Sequence, residues 1–324
     1  MFSLVGFFGK IILELREKRK RHAGTHCIIL ANQFSLCYIE IEKAQSHHFI
    51  LERKGVYFMV RTPITSQENA FSLKGKNAIV TGGNRGIGLG IATAFAQQGA
   101  NVGIMCRNQE SAAQVVAELS EKYEGTFKNY LLDVSDTKNC RDAVNAFVAD
   151  FGSVDILVNN AGVAVAGPVL DMDEELTDWF RCLDVDLSGA MRMCYSVGKY
   201  MRDSGKGGKI INITSNSGAI INKPMTFAPY HAAKAALNHL TRDLAVEWGQ
   251  YGINVNAIAP GYTNTDMATK MPAEVKGEMV EKMPCGRFGE TTEIGALAVY
   301  LASEASNIVT GVIVTADGGY SLAV

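Results

Sequence analysis

From residue 76 onward the chain repeats one pattern that few folds accommodate. A short run rich in apolar residues ends in a polar or glycine-containing turn, and a stretch with helical spacing follows. The runs lie at 77–81, 101–106, 127–132, 154–158, 209–214, 254–259 and 312–315. The helical stretches run from the glycines at 86–88 to residue 99, then over 111–123, 137–151, 174–203, 230–250, 273–282 and 290–303. Strands alternating with helices of about 10–15 residues form βαβ units and hence a parallel sheet. Continuously apolar strands are expected where helices cover both faces. The expectation is an α/β fold: a single doubly wound domain with an approximately seven-stranded parallel sheet, preceded by an N-terminal extension.

The extension reads differently. In a chain of 324 residues, positions 1–58 carry four of the six histidines (His22, His26, His47, His48) and a basic cluster at 16–21. The apolar run at 1–13 precedes its charges, the reverse of a secretory signal, and Glu14 and Glu17 argue against a mitochondrial presequence. Residues 1–70 are expected to be a poorly ordered extension or the product of a mis-assigned start, with Met59 a candidate true start. A basic amphipathic helix on a membrane surface, at 4–21, is the other reading. The domain that carries function is expected over 71–324.

Composition excludes several classes. A net charge of −2 gives no global reason to expect nucleic acid. The seven cysteines form no C-x-x-C pair and no metal-ligand spacing, which predicts reduced thiols, an intracellular (cytoplasmic) setting and no metal. No apolar run reaches the ~18–20 residues needed to span a bilayer.

The first strand leads into Gly82-Gly83-Asn84-Arg85-Gly86-Ile87-Gly88 and then a helix. Such a loop lets backbone N–H groups and the helix N-terminus approach a pyrophosphate, so a dinucleotide on a Rossmann domain is expected here. Glycines alone also mark plain turns; the strand–loop–helix context carries the argument. An acidic residue ending the second strand would bind the ribose 2′-hydroxyl of NAD. Here that position is Cys106, Arg107 follows, and Arg85 lies in the glycine loop. Two guanidinium groups and no carboxylate suit a 2′-phosphate, predicting NADP(H) over NAD(H). The plain alternative is two solvated arginines.

Tyr230 and Lys234 stand one helical turn apart on one face. A phenol is a poor acid or base at neutral pH, and a nearby ammonium favours the phenolate, bringing it within range of proton exchange with a carbonyl or alcohol oxygen. Upstream, the strand at 209–214 runs into Ser215.

Together these residues resemble the short-chain dehydrogenase/reductase family, from about Leu73 to the C-terminus. The matching motifs are Thr81-Gly82-x-x-x-Gly86-x-Gly88, Asn159-Asn160-Ala161-Gly162, Ser215, Tyr230-x-x-x-Lys234 and Pro260-Gly261, in the family's order and spacing. The resemblance implies that Ser215 hydrogen-bonds the substrate carbonyl, Tyr230 exchanges the proton, and Lys234 holds the nicotinamide ribose and acts on the tyrosine. It implies that Gly82, Asn84, Arg85, Gly86, Ile87, Gly88 and Arg107 contact cofactor, that Asp133 and Val134 meet the adenine, and that Asn159, Ala161 and Gly162 line the cofactor and brace the sheet. Pro260, Gly261, Thr263 and Thr265 would meet the carboxamide. A homotetramer is also implied. The departure is Asp186, in Asp186-Leu187-Ser188-Gly189, where the family places a catalytic Asn that works largely through its backbone carbonyl. An Asp keeps that carbonyl, so activity is expected to survive.

For substrate, the loop between Ser215 and Tyr230, the 184–187 run and Gly286-Arg287-Phe288-Gly289 resemble the mannitol dehydrogenase and sorbose reductase branch, which interconverts ketoses and polyols. Ser217 competes with Ser215, and Asn216, Asn222 and Asn264 are candidate partners for sugar hydroxyls. Met267, Met271, Met279 and Met283, in the stretch 262–285 read as a lid, suit a less polar ketone unless they serve packing. The alternatives are a 3-oxoacyl thioester reductase, a gluconate 5-dehydrogenase, or a silent NADP(H)-binding protein. Burial of Leu237, Leu240, Leu244, Ala245 and Trp248 fits either a subunit interface or the domain's own core.

Overall fold

A computed structural model describes residues 28–31, 36–40, 48–53, 56–61, 69–222, 227–269 and 271–323. The chain divides into two compact units, Met1–Pro63 with Gln250–Gly252, and the remainder. In the first unit, strands β1 (Ile28–Ala31), β2 (Leu36–Glu40), β3 (His48–Arg53) and β4 (Val56–Arg61) form an antiparallel meander in that order. Ile28 pairs with Ile39, Cys37 with Glu52, and His48 with Arg61. The stretch 4–21 lies outside the described residues.

The second unit carries the expected alternation. It begins β5 (Asn77–Thr81), α1 (Gly86–Gln97), β6 (Asn101–Cys106), α2 (Gln109–Lys122), β7 (Phe127–Leu131), α3 (Thr137–Phe151) and β8 (Ile156–Asn159). After α4 (Thr177–Leu183) a π-helical turn, Asp184–Gly189, leads into α5 (Ala190–Asp203). Then come β9 (Gly208–Ile213), α6 (Ala228–Trp248), β10 (Ile253–Pro260), β11 (Thr263–Asn264), α7 (Asp266–Thr269), α8 (Ala273–Glu281), β12 (Gly289–Glu290), α9 (Thr291–Ala302), β13 (Ile313–Ala316) and α10 (Tyr320–Ala323).

The main sheet has seven strands in the order β13-β10-β9-β8-β5-β6-β7, every pair parallel. Strands β5, β8, β9 and β10 are buried along their whole length, which is why their sequences are apolar rather than alternating. The edge strand β7 buries Phe127 and leaves Lys128 and Leu131 exposed. Full burial of side chains such as Phe95, Ile104 and Phe147 contributes ~1.5–3 kcal/mol each.

The layers are drawn close by glycine. A Cβ on Gly295 of α9 would lie 2.8 Å from the Gly90 carbonyl oxygen of α1. A Cβ on Gly198 of α5 would lie 2.6 Å from the Trp248 ring at the end of α6. Leu237, Leu244, Ala245 and Trp248 are buried within this one chain and belong to its core, while Leu240 is half-buried. Met279 and Met283 likewise pack with Ala268, Phe288 and Tyr320. Both are packing residues, as methionines at such spacing usually are.

The sequence predicts one continuous helix over 174–203, and the structure interrupts it. The π-helical turn inserts a wider ring where Gly189 passes the end of β7: a Cβ there would lie 2.8 Å from the Val134 side chain. The wider turn places Asp186 inward, fully buried. Strand order reverses between β5 and β8, and the crevice at the carboxyl ends of such strands is where α/β folds bind ligands.

Candidate active site

The glycine loop fills one side of that crevice. Gly82 and Gly86 have φ of +64° and +55°, the left-handed region that an L side chain rarely adopts. Gly88 is fixed by space: a Cβ there would strike the Gly82 carbonyl oxygen. No side chain caps α1, and its first turn holds no acidic residue, so its N–H groups are left for an anion. The Asn84 side chain donates to Ser111 Oγ at 2.8 Å, and Ile87 packs against the core. Gly82 and the N-N-A-G turn are stapled together. Asn160 Nδ2 donates to the carbonyls of Thr81 and Gly82 at 3.0 and 3.2 Å. Thr81 Oγ1 accepts from the Asn160 and Ala161 N–H groups at 2.9 and 3.0 Å. The roles of Asn160 and Thr81 escaped the sequence reading. The signal was a threonine ending one strand and an amide following another, with nothing in the sequence to pair them.

At the end of β6, Cys106 is buried while Arg85 and Arg107 are exposed. Burial pushes the Cys106 thiol up; the Asn108 backbone and the Arg85 charge oppose it. Arg107 acts in the same way on Asp133, whose carboxyl is held low chiefly by hydrogen bonds from Ser135. Arg107 follows the strand end, Arg85 stands in the glycine loop, and position 106 carries no carboxylate, a charge pattern that fits a dinucleotide bearing an extra phosphate. Asp133 occupies its Oδ1 with Ser135, and Val134 is buried against Gly189.

The second side of the crevice holds the reacting groups. Lys234 and Tyr230 lie on α6, with the ammonium 5.4 Å from the phenol ring centre. Lys234 Nζ donates to the Ile213 carbonyl at 3.1 Å, two residues before Ser215. Ser215 is buried, and its Oγ accepts from the Ser217 N–H at 3.1 Å. Ser215 Oγ also donates to Asn216 Oδ1 at 3.4 Å, and Ser217 Oγ accepts from Asn222 Nδ2 at 2.7 Å. The turn after Ser215 presses on α6: a Cβ on Gly218 would lie 2.9 Å from the Lys234 carbonyl carbon.

Asp186 joins this group. Its Oδ1 lies 2.9 Å from Lys234 Nζ, with the two side chains 0% and 5% exposed, an ionic contact off the line of an aligned hydrogen bond. Its Oδ2 accepts from the Val163 N–H at 2.9 Å. Burial alone pushes the Lys234 ammonium down; the Asp186 carboxylate, and then Tyr230, outweigh it and hold the group above its ordinary value. Gly162 passes so close that a Cβ would lie 2.6 Å from Asp186 Oδ1. The sequence anticipated the backbone of Asp186, not this use of its side chain.

Asn159 turns into the sheet. Its Nδ2 donates to Asn212 Oδ1 at 2.9 Å, and Asn212 Nδ2 donates to Thr241 Oγ1 at 2.9 Å, a buried amide chain from β8 through β9 to α6. Pro260 ends β10, and the Gly261 N–H donates to the Ala316 carbonyl at 3.0 Å. Thr263 Oγ1 donates to the Gly261 carbonyl at 3.2 Å, and Thr265 lies over the glycine loop, its Cγ2 3.5 Å from where a Gly86 Cβ would be.

Residues 82–321 match the family model described as Enoyl-(Acyl carrier protein) reductase, one of the models of the short-chain dehydrogenases/reductases. The chain belongs to the short-chain dehydrogenase/reductase family. As a member it is an oxidoreductase with the family's Rossmann fold. It is 42% identical over 252 residues to a sorbose reductase of Candida albicans, covering 78% of this chain and 89% of that one. It is 36% identical over 259 residues to an NADP-dependent mannitol dehydrogenase of Alternaria alternata, covering 79% and 96%. Among solved structures, a gluconate 5-dehydrogenase from Burkholderia cenocepacia, in complex with NADP and tartrate, matches with a TM-score of 0.73 and 36% identity, over 79% of this chain and 99% of that one. Among the described residues no helix of this short-chain dehydrogenase/reductase is long and apolar enough to cross a membrane.

Proposed function

We propose that the protein is an NADP(H)-dependent oxidoreductase that interconverts a ketose and its polyol. The observation that carries this reading is Lys234 on α6, with its ammonium 5.4 Å from the Tyr230 ring and bonded to the Ile213 carbonyl two residues before Ser215, together with Arg85 in the glycine loop and Arg107 after Cys106. The cofactor, when bound, supplies the hydride chemistry. The glycine loop and the α1 N-terminus would hold its phosphates, Arg85 and Arg107 the 2′-phosphate, and Lys234 its nicotinamide ribose. Ser215 hydrogen-bonds the substrate oxygen, and Tyr230 gives that oxygen a proton in reduction and takes it back in oxidation. The Lys234 charge steadies the negative charge that develops there. Met279 and Met283 are spent on packing, which removes the sequence argument for a less polar ketone against a ketose. The relatives named for sorbose and mannitol support the same class.

The reading includes catalysis by residues 71–324 alone, with 1–70 an extension outside the chemistry and Met59 a candidate start. It includes a cytoplasmic setting, supported by five free cysteines among the described residues, and a homotetramer, supported by exposed Val246 on α6 and Leu322 near the C-terminus.

NADPH oxidation with fructose, sorbose, xylulose, 5-ketogluconate and an acetoacetyl thioester, each repeated with NADH, tests the proposal. A ketose should turn over with NADPH, and Tyr230→Phe should lower kcat by ~10²–10⁴-fold with NADPH binding retained. Turnover of the thioester alone would overturn the substrate class, and a preference for NADH the cofactor assignment.

A further inference from the structure

An ammonium buried without a counter-charge loses its proton readily, because burial disfavours the charged form by as much as several pH units. Lys234 is buried deeply enough to be such a group if it lacked a counter-charge. The titratable groups facing it are Asp186 and Cys182, from the π-helical turn and α4, and Tyr230 on its own helix; β9 contributes only the neutral Ile213 carbonyl. Cys182 cannot serve as the counter-ion, since burial, aided by the Asp186 charge, pushes its thiol up to about 12. Tyr230 is neutral when it carries the proton it must donate. That leaves the carboxylate at 2.9 Å. The same carboxylate is moored on its other oxygen by the Val163 N–H, in the turn that follows Asn159-Asn160-Ala161-Gly162.

We propose that Asp186 is a positioning residue whose carboxylate keeps the buried Lys234 charged and ties it to the turn that lines the cofactor. The inference rests on the reading of Lys234 and Tyr230 given above and deepens it: proton exchange at Tyr230 depends on a carboxylate that never touches substrate. A buried pair of this kind is held together more by the cost of breaking it than by a net gain over apolar side chains.

The test is Asp186→Asn, which preserves shape and an oxygen to accept from Val163 but removes the charge. The pH dependence of kcat for ketone reduction with NADPH is compared with wild type. The alkaline limb of the variant should move down by ~2 pH units or more, with kcat returning to within a few-fold of wild type at the acid end, where Lys234 regains its proton. A limb at the wild-type position, or a loss uniform across pH, would overturn the proposal. If the variant does not accumulate as folded protein, Asp186→Asn/Lys234→Met is expressed and melted beside wild type. Accumulation of folded double variant, with most of the wild-type melting temperature, supports charge compensation, and a double variant that also fails to fold overturns it. Wild-type protein that turns over no carbonyl would sink the proposed function and leave the melting comparison to judge the pair.

Discussion

Arg107 follows a strand end that carries no carboxylate, Arg85 stands in the glycine loop, and each is exposed. A charge-assisted hydrogen bond to a phosphate contributes roughly 1.5–3 kcal/mol. Arg107→Ala should therefore raise the KM for NADPH by about 10–100-fold and leave that for NADH within a factor of about two. Steady-state kinetics with both cofactors checks this; equal effects on the two would show that the guanidinium does not read the 2′-phosphate. These arginines were legible in the sequence because Arg85 stands inside the glycine loop and Arg107 directly follows a strand whose end is predictable. So were Tyr230 and Lys234, which helical spacing alone places on one face. Asp186 and Asn160 were not. The partner of each lies on another element, Lys234 on α6 for one and the Thr81 and Gly82 carbonyls for the other. Local spacing contains no trace of either contact.

Elements divide in the same way. The buried strands β5, β8, β9 and β10 were readable from continuous apolar runs. The helix over 174–203 was readable in extent but not in its break, because the π-helical turn answers to Gly189 meeting Val134 across the layer. The start of α9 shows how one such boundary is held. Glu290 and Glu293 form a reciprocal capping box, and Arg287 grips Glu293 with two hydrogen bonds of 2.7 and 2.8 Å. Those hydrogen bonds, above all from Arg287, lower Glu293 from its ordinary value of 4.5 to about 2. A carboxyl lowered on folding stabilises the folded chain above its unfolded value and loses that contribution as pH falls through the folded one. Glu293→Gln should accordingly lower Tm by about 1–2 °C at pH 7, and the difference should fade between about pH 4.5 and 2. Thermal melts across that range check it, and a difference independent of pH would mean that charge plays no part.

At the scale of the molecule, every residue proposed for the chemistry lies in the larger of the two compact units. Protein beginning at Ile64 should keep kcat/KM for ketose and NADPH within about twofold of the full chain; a large loss would give the N-terminal meander a part in the reaction. The meander itself was invisible in a sequence read as an extension, whereas the seven-stranded sheet followed from the alternation of runs and helices. The site's charges are also divided by depth, with consequences for its response to ionic strength. The Debye length shortens to about 8 Å at 0.15 M salt and about 3 Å at 1 M, and mobile ions reach the exposed Arg85 and Arg107 but not the buried pair of Asp186 and Lys234. Added salt should therefore raise the KM for NADPH several-fold while leaving kcat at saturating cofactor nearly unchanged, so that the enzyme loses its grip on the cofactor in brine without losing the ability to reduce what it holds.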